Sequence, residues 1–229
     1  MIHSVFPLCI GEYFYNDHED YKKLFLSKIN SFIVDEPDGS FYSGEVTGIN
    51  DIHTDPDFYS LFKFVSDSCI QHFEALDFDH SVFDIMISKT WLTILDGNSS
   101  LPLHMHETSH YSFVYYVTAP INSDLLVFFM DRNPNEPFHG AFTDQRDSKV
   151  KTLIKNYNAL NSLTWSFVPE QGKLFLFPSN VKHYTEKASE TQNELRLSIA
   201  GDILLCYKQD QVPNYPTGLY SISQWRTYT

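Results

Sequence analysis

The pattern of apolar and polar positions divides the chain in two. In HEDYKKLFLSKINSFIV, Tyr21, Leu24, Phe25, Ile29 and Phe32 recur at helical spacing, with Glu19 and Asp20 near the start. PDFYSLFKFVSDSCIQHFEAL repeats the pattern through Phe58, Leu61, Phe62, Val65, Cys69 and Phe73. Two helices are therefore predicted, after a short strand near Ile2 to Phe6 and separated by an irregular acidic connection from Asp35 to Thr54. From Val82 onward the period falls to two. FDIMISKTWLTIL, HYSFVYYVTA, DLLVFFM, LTWSFV, KLFLF, HYTEK and ELRLSIAGDILL are β-branched and aromatic runs divided by turn residues, so at least seven strands are expected. Even spacing of strands predicts an antiparallel sandwich or jelly roll, with the helices covering one outer face. The expected organisation is a single domain, mostly β with N-terminal helices: a helical part over 1–80 and a β core over 81–229. A polar insertion at 131–161, with Pro134, Pro137, Gly140 and a possible short helix in SKVKTLIKNYNAL, interrupts the core.

Composition narrows the class. The chain has 229 residues, enough for one good-sized core, and 16% of them are aromatic, which excludes a disordered tail. A formal net charge of -13 repels phosphate backbones, and no Lys/Arg stripe offsets it, so nucleic acid is not an expected partner. Cys9, Cys69 and Cys206 are odd in number and widely spaced, which suits buried thiols in a reducing cytoplasm better than a disulfide framework. MIHSVFPLCIGEYF lacks a cationic lead-in, and no apolar run reaches ~20 residues, so neither a signal peptide nor a membrane span is expected.

Candidate chemistry sits at the mouth of the predicted strand HYSFVYYVTA, in LHMHETSHYSFVYYV. His104 and His106 are two apart, so on a strand both imidazoles point to one face. His183, just beyond the run KLFLFPSNVK, is the candidate third ligand from elsewhere in the sheet. Three imidazoles suit iron, zinc, copper or nickel and leave positions open for substrate or oxygen. Farther on, Arg196 and Ser198 share a face of an alternating strand, and a guanidinium fork beside a hydroxyl is a clamp for a carboxylate. Metal at one end and clamp at the other would hold a small diacid.

The combination of His104-x-His106, SFVYYVTAP, PEQGKLFLFPSNVKH and RLSIAGDI, with SVFPLCIGEYF and TWLTILDGNSSLPLHMH before it, resembles the iron(II)/2-oxoglutarate-dependent oxygenase superfamily. More narrowly it is similar to the 2OG-Fe(II) oxygenase family of bacteria and tailed phages. The resemblance implies a double-stranded β-helix core, iron(II) held by His104 and His183, and 2-oxoglutarate as cosubstrate with its distal carboxylate on Arg196 and Ser198. It implies a dioxygenase that hydroxylates a C–H bond, with a prolyl or other peptidyl residue among the substrates. One position departs from the pattern: the superfamily usually carries His-x-Asp or His-x-Glu, and here the +2 residue is His106, with Glu107 beside it as the alternative. His106 is expected as the third ligand, the alternatives being Glu107 in its place or a metal with two protein ligands and His106 supporting from beside it.

Around that site, Tyr115 is a candidate donor to the 2-oxoglutarate carboxylate, its alternative being an ordinary core position, and Thr93 with Trp91 is expected to wall the cofactor pocket. His110 is expected to hydrogen-bond nearby rather than to bind metal. Two other readings stay open from the residues alone: a three-histidine, cupin-like metalloenzyme that does not use 2-oxoglutarate, and a jelly-roll binding module in which the histidines are structural. The expected partner is a peptide or small-molecule substrate, with neither nucleic acid nor membrane.

Overall fold

The computed structural model describes residues 3, 5–32, 49–95, 100–142, 154–186, 195–211 and 221–224. Among these, β1 (Gly11–Phe14) precedes α1 (His18–Lys28) and α2 (Tyr59–Ala75). Then come β2 (Phe83–Leu95), β3 (Tyr111–Thr118), β4 (Leu125–Phe129), β5 (Thr164–Phe167), β6 (Lys173–Pro178), β7 (Lys182–Glu186) and β8 (Arg196–Tyr207). The seven strands expected from alternation are all present. The early strand expected near Ile2 to Phe6 is not among the described residues of that stretch; β1 lies farther along, where GEYF pairs antiparallel with β6. Residues 33–48 and 143–153 fall outside the described residues, and with them most of the acidic connection and the first part of the short helix expected in the insertion. The described remainder of that segment, 154–160, is not helical.

The strands form two antiparallel sheets, one in the order β1-β6-β3-β8-β2 and one in the order β5-β4-β7. This is the jelly-roll architecture that the strand spacing predicts. Each face of the larger sheet has a different partner. On one face Leu92, Ile94, Phe113, Tyr115, Val117, Leu174, Leu176, Leu197, Ile199 and Ile203 pack in a single cluster with α1 and α2. In α2, Leu61, Val65, Cys69 and Phe73 recur every fourth residue and are buried, which gives the helix one apolar stripe for that face. α1 adds Tyr21 and Phe25, and burying an aromatic or aliphatic side chain of this size stabilises the fold by roughly 1.5–3 kcal/mol.

Where α2 starts is fixed by local chemistry. Asp55 accepts a hydrogen bond from Asp57 N at 3.0 Å, and Pro56 follows it in the first position of a short 3-10 turn that runs into the helix. Lys28, at the end of α1, donates to Asp55 at 2.8 Å and also pairs with Asp57, tying one helix end to the start of the next.

The opposite face of the larger sheet meets the smaller one. Tyr116, Phe175 and Phe177 cluster with Leu126 and Phe128 of β4, and the Phe128 and Phe177 rings lie edge to face at 4.9 Å. A bulge decides which residues of β2 reach this face. The β2–β8 register shifts between Ile87 and Lys89, so Ile85 and Ile87 join the helix-side cluster while, beyond the bulge, Trp91 and Thr93 turn to the other side. One extra residue on a strand of period two inverts every later side chain.

Candidate metal centre

Between the sheets lies a cavity whose lining includes His104, His106, His183, Trp91, Thr93, Arg196 and Ser198. The segment leading to β3 builds one wall. His104 N donates to His183 O at 3.0 Å and His183 N to His104 O at 2.8 Å, so the two residues face each other across an antiparallel bridge beside β7. His106 N donates to Ser179 O at 2.9 Å, which extends the same backbone track. The segment is not the strand that the two-residue spacing suggests: His104 forms only this single bridge and β3 starts at Tyr111, yet both imidazoles meet the His183 ring, at centroid distances of 4.3 Å from His104 and 5.3 Å from His106.

One ring nitrogen from each of His104, His106 and His183 lies within 4.8 Å of the others. Their other contacts fix which nitrogen that is. His104 Nδ1 is 2.8 Å from Pro102 O, and His183 Nδ1 is 2.9 Å from Val181 O. A carbonyl oxygen only accepts, so each Nδ1 carries the proton and Nε2 keeps the lone pair. His106 Nδ1 sits 2.5 Å from Asp202 Oδ1, with the same consequence. Burial, and next the neighbouring His104 ring, push the His183 imidazole down to about 3, so it stays neutral at physiological pH. The Asp202 carboxyl, although burial works in the other direction, is held below the usual carboxylate range by His106 and by the Ser112 and Ser109 hydroxyls. Glu107 is exposed and outside the group. Imidazoles whose Nε2 atoms converge are a donor set that suits a borderline cation such as iron(II).

The other end of the cavity is built for an anion. Arg196, Ser198, Ala200 and Asp202 alternate along β8 onto the cavity side, and Thr93 of β2 lies opposite Ser198. The Arg196 guanidinium is buried, donates through one nitrogen to Asp124 O at 2.9 Å, and stacks over the Tyr116 ring at 5.4 Å. Among the described residues no carboxylate pairs with it, and neither Arg196 Nε nor the Tyr116 hydroxyl has a hydrogen-bond partner. A buried cation and two buried polar atoms without partners are costly unless a ligand satisfies them. A dicarboxylate such as 2-oxoglutarate fits that need.

Tyr115 requires a correction. Its side chain lies on the helix face of β3, with its hydroxyl 2.7 Å from His18 Nδ1, and it does not line the cavity. Its neighbour Tyr116 does. Sequence alternation establishes that the two point oppositely but not which faces the smaller sheet. His110 accepts a hydrogen bond from Leu205 N at 2.9 Å, in line with its expected structural role. Asp202 carries no sequence motif of its own, although the two-residue step from Arg196 through Ser198 leads to it.

Residues 89–202, which include the histidines, Arg196 and Asp202, match the model of the family described as "Putative 2OG-Fe(II) oxygenase". They belong to the 2OG-Fe(II) oxygenase family. With the family come iron(II) and 2-oxoglutarate, and the donor chemistry at the two ends of the cavity suits both. Solved structures share the fold of this oxygenase. EctD of S. alaskensis, solved with 2-oxoglutarate and 5-hydroxyectoine, superposes with a TM-score of 0.54 at 12% identity, covering 86% of this chain and 72% of its own. A prolyl-4-hydroxylase of Pseudomonas putida gives 0.52 at 10% identity over 86% and 92% of the two chains. HygX of Streptomyces hygroscopicus, with nickel and 2-oxoglutarate bound, gives 0.51 at 12% identity over 86% and 82%. At such identities the likeness concerns the fold, the double-stranded β-helix expected above. A search of curated proteins found no match. No described helix is long and apolar enough to cross a membrane.

Proposed function

We propose that this oxygenase is a dioxygenase that hydroxylates a C–H bond of a peptide or small-molecule substrate. One atom of dioxygen goes to the product hydroxyl and the other to succinate, formed with carbon dioxide from 2-oxoglutarate. The observation that carries this reading is the placement, in one cavity, of three converging imidazoles and a buried guanidinium without a counter-ion among the described residues. His104, His106 and His183 would hold the metal through Nε2. When bound, iron(II) with 2-oxoglutarate supplies an oxidation chemistry that no side chain can perform.

The remaining work falls to the protein. Arg196 receives the distal carboxylate of the cosubstrate, Ser198 and Thr93 flank it, and the Tyr116 hydroxyl is placed to donate to it. Leu126, Phe177 and Trp91 wall the cavity with apolar surface, which keeps bulk water from the reacting groups. With the imidazoles at one end of the cavity and Arg196 at the other, a cosubstrate held at both ends would be confined to one orientation, which would make the encounter effectively unimolecular. Fold likeness to the P. putida prolyl-4-hydroxylase supports a prolyl or other peptidyl residue as the first substrate class to test. The three free cysteines support a cytoplasmic setting.

The decisive experiment incubates the iron-loaded protein with 2-oxoglutarate and a panel of peptides and metabolites. Succinate release and a product mass gain of one oxygen are the expected results. Absence of succinate with every substrate, together with no charge-transfer absorption when iron(II) and 2-oxoglutarate are added anaerobically, would overturn the reading. Arg196→Ala should retain metal but weaken 2-oxoglutarate by at least about tenfold, because a buried carboxylate loses its charged partner. Unchanged cosubstrate affinity in that variant would remove Arg196 from the pocket assignment.

A further inference from the structure

The three histidines of the proposed metal site are not braced alike. His104 and His183 each donate Nδ1–H to a backbone carbonyl two residues earlier in the chain, a neutral acceptor. His106 instead donates to Asp202 Oδ1 at 2.5 Å. That carboxylate is itself held in place: Ser112 Oγ donates to Asp202 Oδ1 at 2.9 Å and Ser109 Oγ at 3.1 Å, while Ser179 Oγ lies 2.8 Å from both hydroxyls. Asp202, Ser112 and Ser179 are all buried, on β8, β3 and the turn after β6, so three different elements fix one hydrogen-bonded unit behind one ring.

Resting on the metal-site reading above, we propose that Asp202 is a positioning residue for the metal and supplies, through His106, the negative charge that three imidazole ligands lack. The physical reasons are two. A carboxylate accepting from Nδ1–H fixes the ring in the tautomer with its lone pair on Nε2 and fixes its orientation. It also makes Nε2 a stronger donor, because the N–H proton is drawn toward an anion rather than toward a carbonyl dipole. A cation held by three neutral ligands keeps its full double charge, and a fixed anion one ring away offsets part of it in a low-dielectric cavity, where the interaction is stronger than in water. The serines then have a defined task, since hydroxyls aimed at Asp202 stabilise its ionised form and prevent it from rotating toward the cavity. The ligand ring, the carboxylate and the hydroxyl shell make up one device drawn from distant parts of the chain.

Cobalt(II) or iron(II) alone, titrated anaerobically into the metal-free full chain, tests the proposal without relying on turnover. Asp202→Asn keeps the shape of the side chain and removes its charge, and it should weaken metal binding about 10- to 100-fold, whereas Ser112→Ala, which removes one hydroxyl 2.9 Å from Asp202 Oδ1 and 3.0 Å from His106 Nδ1 but keeps the charge, should weaken it clearly less. Equal losses in the two variants would mark the network as structural packing and overturn the proposal, as would an unaltered affinity in Asp202→Asn. Should Asp202→Asn fail to fold, proton NMR of the cobalt-loaded parent decides. A strongly shifted His106 Nδ1–H resonance, slow to exchange with solvent, is expected, and its absence contradicts the hydrogen bond to Asp202. A parent protein that binds neither metal would instead bring down the metal-site reading itself, a result that does not depend on any variant.

Discussion

Adjacent tyrosines on β3 carry opposite duties, and each makes a prediction. The Tyr116 hydroxyl is buried in the cavity with no partner among the described residues, so Tyr116→Phe should leave the stability of the ligand-free protein unchanged or slightly raised. The same change should weaken 2-oxoglutarate by about tenfold, the worth of one hydrogen bond, as measured by anaerobic titration of the charge-transfer band. Tyr115→Phe should do the reverse. It strips His18 Nδ1 of the hydroxyl 2.7 Å away and should cost about 1–3 kcal/mol in denaturant unfolding, with cosubstrate affinity intact. At this scale the sequence is legible where one strand carries a whole relation, as for Arg196 with Ser198 on β8, whereas His104 and His106 come together on a bridge and loop ahead of β3. It is not legible where the answer depends on which sheet face receives the helices, which is why the sequence points to Tyr115 while the cavity is lined by Tyr116. Asp202 was within reach of the same two-residue step but has no motif of its own, and its meaning appears only once β3 and β8 are side by side.

Strand and helix limits could be read from periodicity because long amphipathic runs leave few alternatives: β2 spans FDIMISKTWLTIL as expected, and the α2 stripe continues to Phe73. β1 escaped because four residues, of which only Gly11 is buried, show too little alternation to stand out before β6 pairs with them. The bulge in β2 escaped for a related reason. An extra residue in a strand leaves the composition unchanged and is visible only in the partner register, yet it decides that Trp91 and Thr93 face the cavity. β8 has a matching tight point at Gly201, where an added Cβ would lie 2.5 Å from the Phe113 ring and 2.8 Å from Lys89 O. The backbone contact cannot yield, so Gly201→Ala should destabilise the protein by about 1–3 kcal/mol, read as a lower melting temperature. Because Gly201 stands between Ala200 and Asp202, the variant should also bind metal more weakly than its stability loss alone accounts for.

Across the whole molecule, burial holds the His18, His53, His72 and His110 imidazoles below their ordinary range. The unfolded chain therefore binds more protons than the folded one once pH drops below the ordinary histidine value of about 6.5. The associated stability is complete above that value and declines on acidification toward the folded-state values. The urea midpoint of the metal-free protein should fall between about pH 7 and about pH 5, and His72→Phe, which replaces a buried ring packed on Tyr111, should flatten the slope. A different global consequence follows from the reciprocal backbone bridge between His104 and His183. These residues belong to stretches far apart along the polypeptide, and an ion clasped by both would act as a removable rivet across a long loop, stabilising only the closed form. Iron supply would then govern not just turnover but survival: in a metal-starved cell the chain should unfold more often and be cleared sooner by proteases, and chelation followed by limited proteolysis would reproduce that fate in a test tube.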